Sequence, residues 1–265
     1  MSLATRTWTH MNGAGNSFFV IDARENPLQE SSQDRAAFAK KLCSRTPGLA
    51  ADGLFILEKA AGLDFKWDFY NSDGSHAEMC GNASRCATRF FLDRVREQNE
   101  VRFETAAGVI VGQKVAHDVY RVRMPEIPSA GAPRALTVEG RVGDFYFVNT
   151  GVPHLVIPEA PSKERALQLR QAPELGAAGS NVTFVERLSE TKFNAVTFER
   201  GVDDYTLACG TGATAAAAFA RMQAPHATVF EIQMPGGLLK VEWVGDRQAY
   251  LSGPAVIDFD VKLGE

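Results

Sequence analysis

A faint internal repeat constrains the fold of this chain more than any other feature of its sequence. Residues 69–87 (FYNSDGSHAEMCGNASRCA) align without a gap with residues 198–216 (FERGVDDYTLACGTGATAA), which places Cys80 and Cys209 129 positions apart. Two further pairs of segments match at nearly the same spacing, 54–58 with 182–186 and 103–104 with 230–231, and 15–21 has a looser counterpart in 151–157. Four matches in the same order indicate two similar domains in one chain.

The two domains are predicted to meet in a segment rich in Pro, Ala and Gly at 125–133. This gives an N-terminal domain of residues 1–126 and a C-terminal domain of residues 127–255. Each half contains one strong helix, predicted at 82–95 and at 211–222, and weaker helices are predicted near 33–42 and 162–169. Short segments rich in Val, Ile, Phe and Tyr, recurring at roughly 8–12-residue spacing, favour mainly antiparallel sheets. The predicted fold class is α+β, with many strands around a central helix in each half.

The predicted strands are 18–22, 53–58, 65–70, 101–107, 109–115, 120–124, 145–149, 154–158, 181–187, 193–199, 229–234, 238–244 and 248–253.

Charge and composition exclude several classes of protein. The formal net charge is −4 and the pI is about 5.8, with Lys and Arg interspersed among acidic residues, so neither a nucleic-acid groove nor an anionic membrane surface is expected as a partner. No apolar run approaches the roughly 20 residues that cross a bilayer. The first residues lack the apolar core of a signal peptide, so a cytoplasmic location is predicted.

Four cysteines, Cys43, Cys80, Cys86 and Cys209, form no CxxC pair and have no histidine at zinc-ligand spacing. No metal site is therefore predicted. The cytoplasm disfavours disulfides, which leaves packing residues or reactive thiols. Packing is the default for Cys43 and Cys86. A dinucleotide site at Gly13-x-Gly15 is rejected, because the third glycine and a βαβ context are missing.

The pairs Cys80-Gly81 and Cys209-Gly210 stand at the starts of the two central helices. Unpaired backbone N–H groups and the positive end of the helix dipole meet at such a start. A thiol there is expected to lose its proton more easily and to act as a thiolate base. The amides after the glycine can hold a carboxylate. Either turn alone is better explained as a helix cap, but two in matching positions favour a function.

Two such turns facing each other across an interdomain cleft would hold one carboxylate between two sulfurs. One thiolate would remove the α-hydrogen from one face of the substrate while the other thiol donates a proton to the opposite face. The amides would stabilise charge that spreads into the carboxylate. The pattern favours racemisation or epimerisation at an α-carbon. A non-catalytic amino-acid-binding protein is the alternative, but binding alone needs no thiols.

The chain resembles the diaminopimelate epimerase family over almost its whole length. The matching stretches are GAGNSFFVID, AADG, NSDGSHAEMCGN with SRC, TGVPH, SNV and FERGVDDYTLACGTGAT. The resemblance implies two homologous domains, each a β-barrel around a central helix, with the active site in the cleft between them. It also implies a C-terminal strand near 256–265 that returns to the first domain, a homodimer, and interconversion of LL- and meso-diaminopimelate without any cofactor.

By matching position, the resemblance makes Cys80 and Cys209 the two catalytic bases, with His154 and Glu199 as groups that flank and tune the thiols. It assigns the substrate contacts to Asn16, Asn71, Gly81, Asn82, Asn181, Glu199, Arg200, Gly210 and Thr211, with Arg200 pairing with the far carboxylate. Val152 replaces the family's usual asparagine before Pro-His, which leaves open a racemase for another amino acid, such as histidine, on the same scaffold.

Overall fold

The computed structural model describes residues 6–44, 50–77, 79–128, 134–138, 141–200 and 202–262, without the side chains of 141–144. Three predictions fall partly outside these residues. They concern the first residues of the chain, the junction beyond residue 128, and the last three residues of the expected C-terminal strand.

The chain divides into two compact units. The first comprises Met1–Val122 and Pro254–Glu265, and the second comprises Arg123–Gly253. Four α-helices and seventeen strands are present in the described residues, so the fold is mixed and mostly strand. None of the helices described combines the length and the apolar character needed to span a membrane.

The elements of the first unit are β1 (Thr7–Gly13), β2 (Asn16–Asp22), α1 (Ser32–Cys43), β3 (Gly53–Glu58), β4 (Phe65–Asn71), α2 (Gly81–Phe90), a π-turn (Phe91–Val95), β5 (Glu100–Thr105), β6 (Gly108–Ala116), β7 (Val119–Arg123, which runs to the unit boundary) and β17 (Val256–Lys262).

The elements of the second unit are β8 (Arg134–Val138), β9 (Arg141–Asn149), β10 (Pro153–Ile157), α3 (Lys163–Leu169), a 3-10 turn (Pro173–Leu175), β11 (Asn181–Arg187), β12 (Lys192–Glu199), β13 (Asp204–Tyr205), α4 (Gly210–Gln223), β14 (Val229–Met234), β15 (Gly237–Val244) and β16 (Gln248–Pro254).

Antiparallel and parallel strand pairs follow one another in the same order in both units. In the first unit β1–β2 is antiparallel, β2–β3 parallel, β3–β4 antiparallel, β4–β5 parallel, and β5–β6 and β6–β7 antiparallel. In the second unit β9–β10, β10–β11, β11–β12, β12–β14, β14–β15 and β15–β16 repeat this series. β17 pairs antiparallel with β1. The helices also occupy matching places, because α1 and α3 follow the second strand of each series and α2 and α4 follow the fourth.

The helices α2 and α4 are buried on nearly all sides. α2 packs on β1, β2, β6 and β17, and α4 packs on β9, β10, β11, β12, β14 and β15. Small side chains make this possible in α4, where Ala213 and Ala215–Ala218 are buried. α4 has no polar face and so lacks the amphipathic periodicity of a surface helix, whereas α2 buries the polar residues Asn82, Ser84, Arg85 and Thr88.

Most sequence predictions of local structure are confirmed, including all four helices and the thirteen strands to within a few residues. Three strands, β1, β8 and β13, were not predicted. The helix predicted to end at residue 95 changes at Phe91 into a π-turn, in which the Arg96 N–H donates to the Phe91 carbonyl at 3.0 Å. None of the four cysteines forms a disulfide, and Cys43 and Cys86 are buried packing residues whose pKa values burial raises to about 12.

Candidate active site

In the first cysteine turn, Cys80 is the N-cap of α2 and follows a loop that is held by hydrogen bonds. Cys80 is half-buried and has extended backbone angles of φ −139° and ψ 122°. Upstream, the N–H of Asn71 donates to the Ser75 carbonyl and its Nδ2 donates to Ser75 Oγ, both at 2.9 Å. His76 Nε2 lies 3.1 Å from Asp68 Oδ1 and ties the loop to β4. Asn71, predicted as a substrate contact, thus uses its amide nitrogen to shape the loop before Cys80.

A row of hydrogen bonds connects the start of α2 with the β1–β2 turn. Asn82 is 1% exposed, and its Nδ2 donates to Asn16 Oδ1 at 2.5 Å. Asn16 Nδ2 donates in turn to Asp52 Oδ2 at 3.2 Å, while Arg85 Nη2 donates to Asn82 Oδ1 at 2.9 Å. Because Arg85 can only donate and the Asp52 carboxylate can only accept, the row orients both amides. The structure therefore brings two predicted contacts, Asn16 and Asn82, together beside Cys80.

The second cysteine turn holds its sulfur more tightly. Cys209 is the N-cap of α4, with φ −121° and ψ 111°, and is 7% exposed. Its Sγ accepts from the Gly212 N–H at 3.4 Å and lies 3.3 Å from Thr211 Oγ1. Gly212 lets this turn approach β12 closely, since a Cβ built there would lie 2.2 Å from Thr197 Oγ1. The helix start is thus in direct contact with the strand that carries Glu199.

The expected fall in thiol pKa is wrong for Cys209. Burial raises the pKa of its thiol well above the ordinary value, and the Glu199 carboxylate adds to the rise. Hydrogen bonds from Thr211 and Gly212 act in the opposite direction without overcoming burial. Desolvation disfavours the charged form of a buried group, and here it outweighs the amides of the helix start. Cys209 is therefore protonated at neutral pH and suited to donate a proton.

His154 reaches Cys209 through Thr211 rather than by direct contact. It is fully buried, which lowers its pKa to about 3, so the ring is neutral. Its Nε2 lies 3.0 Å from Thr211 Oγ1 and 3.4 Å from Asn181 Nδ2, and its Nδ1 lies 2.9 Å from Thr183 Oγ1. The Arg200 N–H donates to Asn181 Oδ1 at 2.8 Å, which turns the Asn181 amide nitrogen towards His154.

These bonds assign the proton of the imidazole. Asn181 Nδ2 can only donate, so His154 Nε2 accepts and the ring proton lies on Nδ1, where it is donated to Thr183. Thr183 Oγ1 continues the chain to Thr197 Oγ1 at 3.1 Å. The Thr211 hydroxyl then lies between two acceptors, His154 Nε2 and Cys209 Sγ. It can donate to the sulfur when Cys209 is a thiolate and to the imidazole when Cys209 is a thiol.

Glu199 and Arg200 stand at the end of β12 and differ in their surroundings. Glu199 Oε1 accepts from Thr206 Oγ1 at 2.7 Å, and the carboxylate contributes to the raised pKa of the Cys209 thiol. Arg200 is exposed, and its Nη1 donates to the Ala178 carbonyl at 2.7 Å. Its guanidinium is thereby held against the loop that precedes β11.

Sequence reasoning assigned no role to Arg85, Asp52, Thr183 or Thr197. Their contacts depend on strand register and on burial: β10 and β11 pair in parallel with Val156 opposite Thr183, which puts this threonine beside His154. Arg85 could have been noticed as a charged residue in the second turn of a helix that starts at a candidate catalytic cysteine. Within the described ranges no group of three His, Cys, Asp or Glu side chains could hold a metal ion.

Comparison with solved structures shows which fold this is. A putative PhzC/PhzF phenazine biosynthesis protein from Clostridium difficile superposes with a TM-score of 0.74 at 14% identity, covering 98% of this chain and 99% of that one. A hydroxyproline epimerase from Agrobacterium vitis superposes with a TM-score of 0.69 at 15% identity, covering 96% and 90%. Both proteins share the fold of this chain, and the class of protein, an amino-acid isomerase, follows from the family model that matches its sequence.

Sequence comparison names the family. The diaminopimelate epimerase family model matches residues 8–125 and 146–257. A diaminopimelate epimerase from Aquifex aeolicus is 39% identical over 270 residues, which cover 96% of each chain. The chain belongs to the diaminopimelate epimerase family, and its activity is that of a diaminopimelate epimerase.

Proposed function

We propose that the chain interconverts LL- and meso-diaminopimelate by transferring protons through Cys80 and Cys209, without a cofactor. The observation that carries this proposal is that both thiols are N-caps of buried helices that occupy matching places in two units of the same strand order. A sequence repeat that preserves only packing would not need a thiol at both positions.

The backbone amides of the two helix starts, at Gly81, Asn82, Gly210 and Thr211, hold the carboxylate next to the reacting α-carbon. One sulfur, as a thiolate, takes the α-proton and becomes a thiol, while the other thiol gives its proton to the opposite face and becomes a thiolate. The amides stabilise negative charge that develops on the carboxylate. Proton count is conserved, and the roles of the sulfurs exchange when the reaction runs backwards.

The surroundings of Cys209 suit it to both roles. Its raised pKa keeps it a thiol and a proton donor in one direction. In the other direction the Thr211 hydroxyl turns from His154 Nε2 to the sulfur, 3.3 Å away, and stabilises the thiolate. The neutral His154 makes this possible, because it accepts a hydrogen bond without contributing a charge. His154 and Glu199 are thus groups that adjust the thiol.

The remaining predicted contacts serve the rest of the substrate. Asn16, Asn71, Asn181 and Glu199 contact its polar groups, and Arg200 pairs with the far carboxylate through its forked donors. To reach that carboxylate, Arg200 gives up its hydrogen bond to the Ala178 carbonyl and donates to the substrate instead. Each unit is proposed to be a β-barrel around its central helix, with the active site in the cleft between the domains. The homodimer and the cytoplasmic location implied earlier stay predictions, the first testable by light scattering.

The test replaces each thiol separately. Cys80→Ala and Cys209→Ala should each abolish epimerisation, because each face of the α-carbon needs its own proton carrier. Cys43→Ala is the matched control, since Cys43 is a buried thiol, 3% exposed, in the last turn of α1. It should retain turnover.

Reactions in deuterated water provide a second measurement, the exchange of the α-proton with solvent. Unaltered enzyme should place solvent deuterium at the α-carbon of the inverted product, as measured by mass spectrometry. A single-alanine variant should still eliminate a leaving group from a β-substituted analogue, where one base is sufficient. Near-normal epimerisation by either alanine variant would exclude the two-thiol mechanism.

A further inference from the structure

Arg85 is a buried cation with no evident structural reason for its charge. It lies in the second turn of α2 and is 0% exposed. Its guanidinium donates to the Gly81 and Pro254 carbonyls, each at 3.3 Å, and to Asn82 Oδ1 at 2.9 Å. These acceptors are neutral, and no carboxylate of the described residues pairs with Arg85. Burying a charge without a counter-charge is strongly unfavourable.

The position of Arg85 on its helix makes the charge still less favourable. A cation near the N-terminal end of a helix meets the positive end of the helix dipole. Arg89, one turn later, shows the ordinary alternative, because it pairs with Asp118 and lies 3.5 Å from Asp93. Stability alone therefore accounts for Arg89 but does not account for Arg85.

Among the described residues, two thiols act electrostatically to favour the charged form of Arg85. Burial lowers the pKa of Arg85 to about 10, and Cys86 and Cys80 act in the opposite direction. Cys86 is fully buried, and burial raises its pKa to about 12, so it stays neutral at physiological pH. Cys80 is half-buried and stands at the helix start. The counter-charge of Arg85 is therefore assigned to Cys80.

Other charged groups that pack against α2 have partners of their own. Asp258 of β17 lies 2.8 Å from His10 of β1, and Asp93 of the π-turn lies 2.9 Å from Lys114 of β6. Asp118 pairs with Arg89. Asp52 is separated from Arg85 by the amides of Asn82 and Asn16, and its Oδ2 also accepts from the Ser17 N–H at 2.8 Å.

In the described part of the chain, no such cation lies at the second helix start. The residue that matches Arg85 in the repeat is Thr214, whose hydroxyl donates to the Gly210 carbonyl at 2.9 Å. The charged group next to Cys209 is instead the Glu199 carboxylate, which disfavours a thiolate. The two turns are alike in backbone, but a buried arginine lies near Cys80 and a carboxylate lies near Cys209.

We propose that Arg85 is a positioning residue that keeps Cys80 a thiolate in the resting enzyme while Cys209 rests as a thiol. The thiol proton of Cys80 is released to solvent, and the free enzyme is prepared to take an α-proton on the Cys80 face. Arg85 also orients Asn82, and through it Asn16, by the row of hydrogen bonds. This inference rests on the proposed function and adds to it a defined resting state.

The test measures the thiol of Cys80 directly. Alkylation of Cys80 by iodoacetamide is followed from acid to alkaline pH, with each cysteine resolved by peptide mass spectrometry. Arg85→Met should raise the midpoint for Cys80 by about one to three pH units, since an opposite charge nearby shifts a thiol by that amount. The alkylation rate at pH 7 should fall in the same variant. Arg85→Lys should retain most of the unaltered behaviour, and Cys209 in the same samples should be unaffected.

Arg89→Met is the matched control, because it removes a compensated arginine from the same helix. It should lower thermal stability and leave the Cys80 midpoint unchanged. Arg85→Met should fold, since the Cys80 thiol can take up a proton when the guanidinium is removed, so that no unpaired buried charge is left. Arg85→Gln, which keeps a donor for Asn82, gives the same reading if the methionine variant is unfolded. An unmoved Cys80 midpoint in a folded Arg85 variant, or an equal shift in Arg89→Met, overturns the proposal.

Alkylation requires neither substrate nor turnover, so the outcome is independent of the proposed function. If Cys80→Ala is inactive and the midpoint does not move, only the role of Arg85 is wrong. If Cys80→Ala remains active, the two-thiol function is wrong, whatever the midpoint. In active Arg85 variants the acid limb of kcat/KM should move to higher pH together with the midpoint.

Discussion

His154 is expected to make the folded protein less stable as the pH falls below 6.5. Burial lowers its pKa from 6.5 to about 3, so the unfolded chain takes up the proton first. The full stability is present above pH 6.5, and the loss grows as the pH falls towards 3. Between pH 7.5 and pH 5 the expected loss is about 2 kcal/mol, taking 1.36 kcal/mol for each pKa unit.

Urea unfolding at the two pH values measures this loss, with His154→Gln as the test variant. Each protein is compared with itself, so a general loss of stability from the substitution cancels. The unaltered protein should lose about 2 kcal/mol more than His154→Gln between pH 7.5 and pH 5. His117→Gln is the matched control because the His117 side chain is 91% exposed, and it should behave like the unaltered protein. If His154→Gln retains the same pH dependence as the unaltered protein, the imidazole is not held neutral by burial.

Two further predictions concern packing around the cysteines. Gly212→Ala should lower the melting temperature and kcat, with a stability loss of about 1–3 kcal/mol, because its Cβ would meet Thr197 Oγ1 at 2.2 Å. Adding Thr197→Ala should restore part of the stability. If Gly212→Ala leaves the melting temperature unchanged, the close approach of this turn to Thr197 is contradicted. The buried thiol of Cys86, with its pKa raised from 9.0 to about 12, stabilises the fold below pH 9 and loses this effect as the pH rises. Urea unfolding at pH 8 and pH 10 should therefore show about 1.4 kcal/mol more loss in the unaltered protein than in Cys86→Ala, and equal losses would show that the thiol ionises freely.

Local patterns predicted most of the secondary structure because they depend on neighbours in the chain. The capping box at Ser31 and Asp34 and the Ser162 cap are local signals that fit the starts of α1 and α3. β1 lacks the alternation of a half-buried strand, since it pairs with both β2 and β17 and buries Trp8, Thr9, His10 and Met11 in succession. β13 has only two residues. Such elements are defined by distant partners, which a local pattern does not contain.

The same distinction applies to the candidate site. The turns at Cys80 and Cys209 could be predicted, because a cysteine and a glycine before a helix are local features. The pKa of Cys209 could not, because its direction depends on burial by surrounding strands and on Glu199, which lies ten positions earlier in the sequence. The chain from His154 through Thr183 to Thr197 likewise depends on the registers of β10, β11 and β12.

A repeated turn predicts two equivalent thiols, but a reaction that removes one proton and supplies another needs two thiols in different protonation states. The backbone of the two turns is alike, since both cysteines are extended N-caps followed by a buried glycine. The difference lies in residues that are not equivalent between the repeats. Arg85 is matched by Thr214, and Cys209 has the Glu199 carboxylate beside its sulfur. Substitutions at these neighbours should therefore change which thiol carries the proton, whereas substitutions at the cysteines should abolish the reaction in both directions.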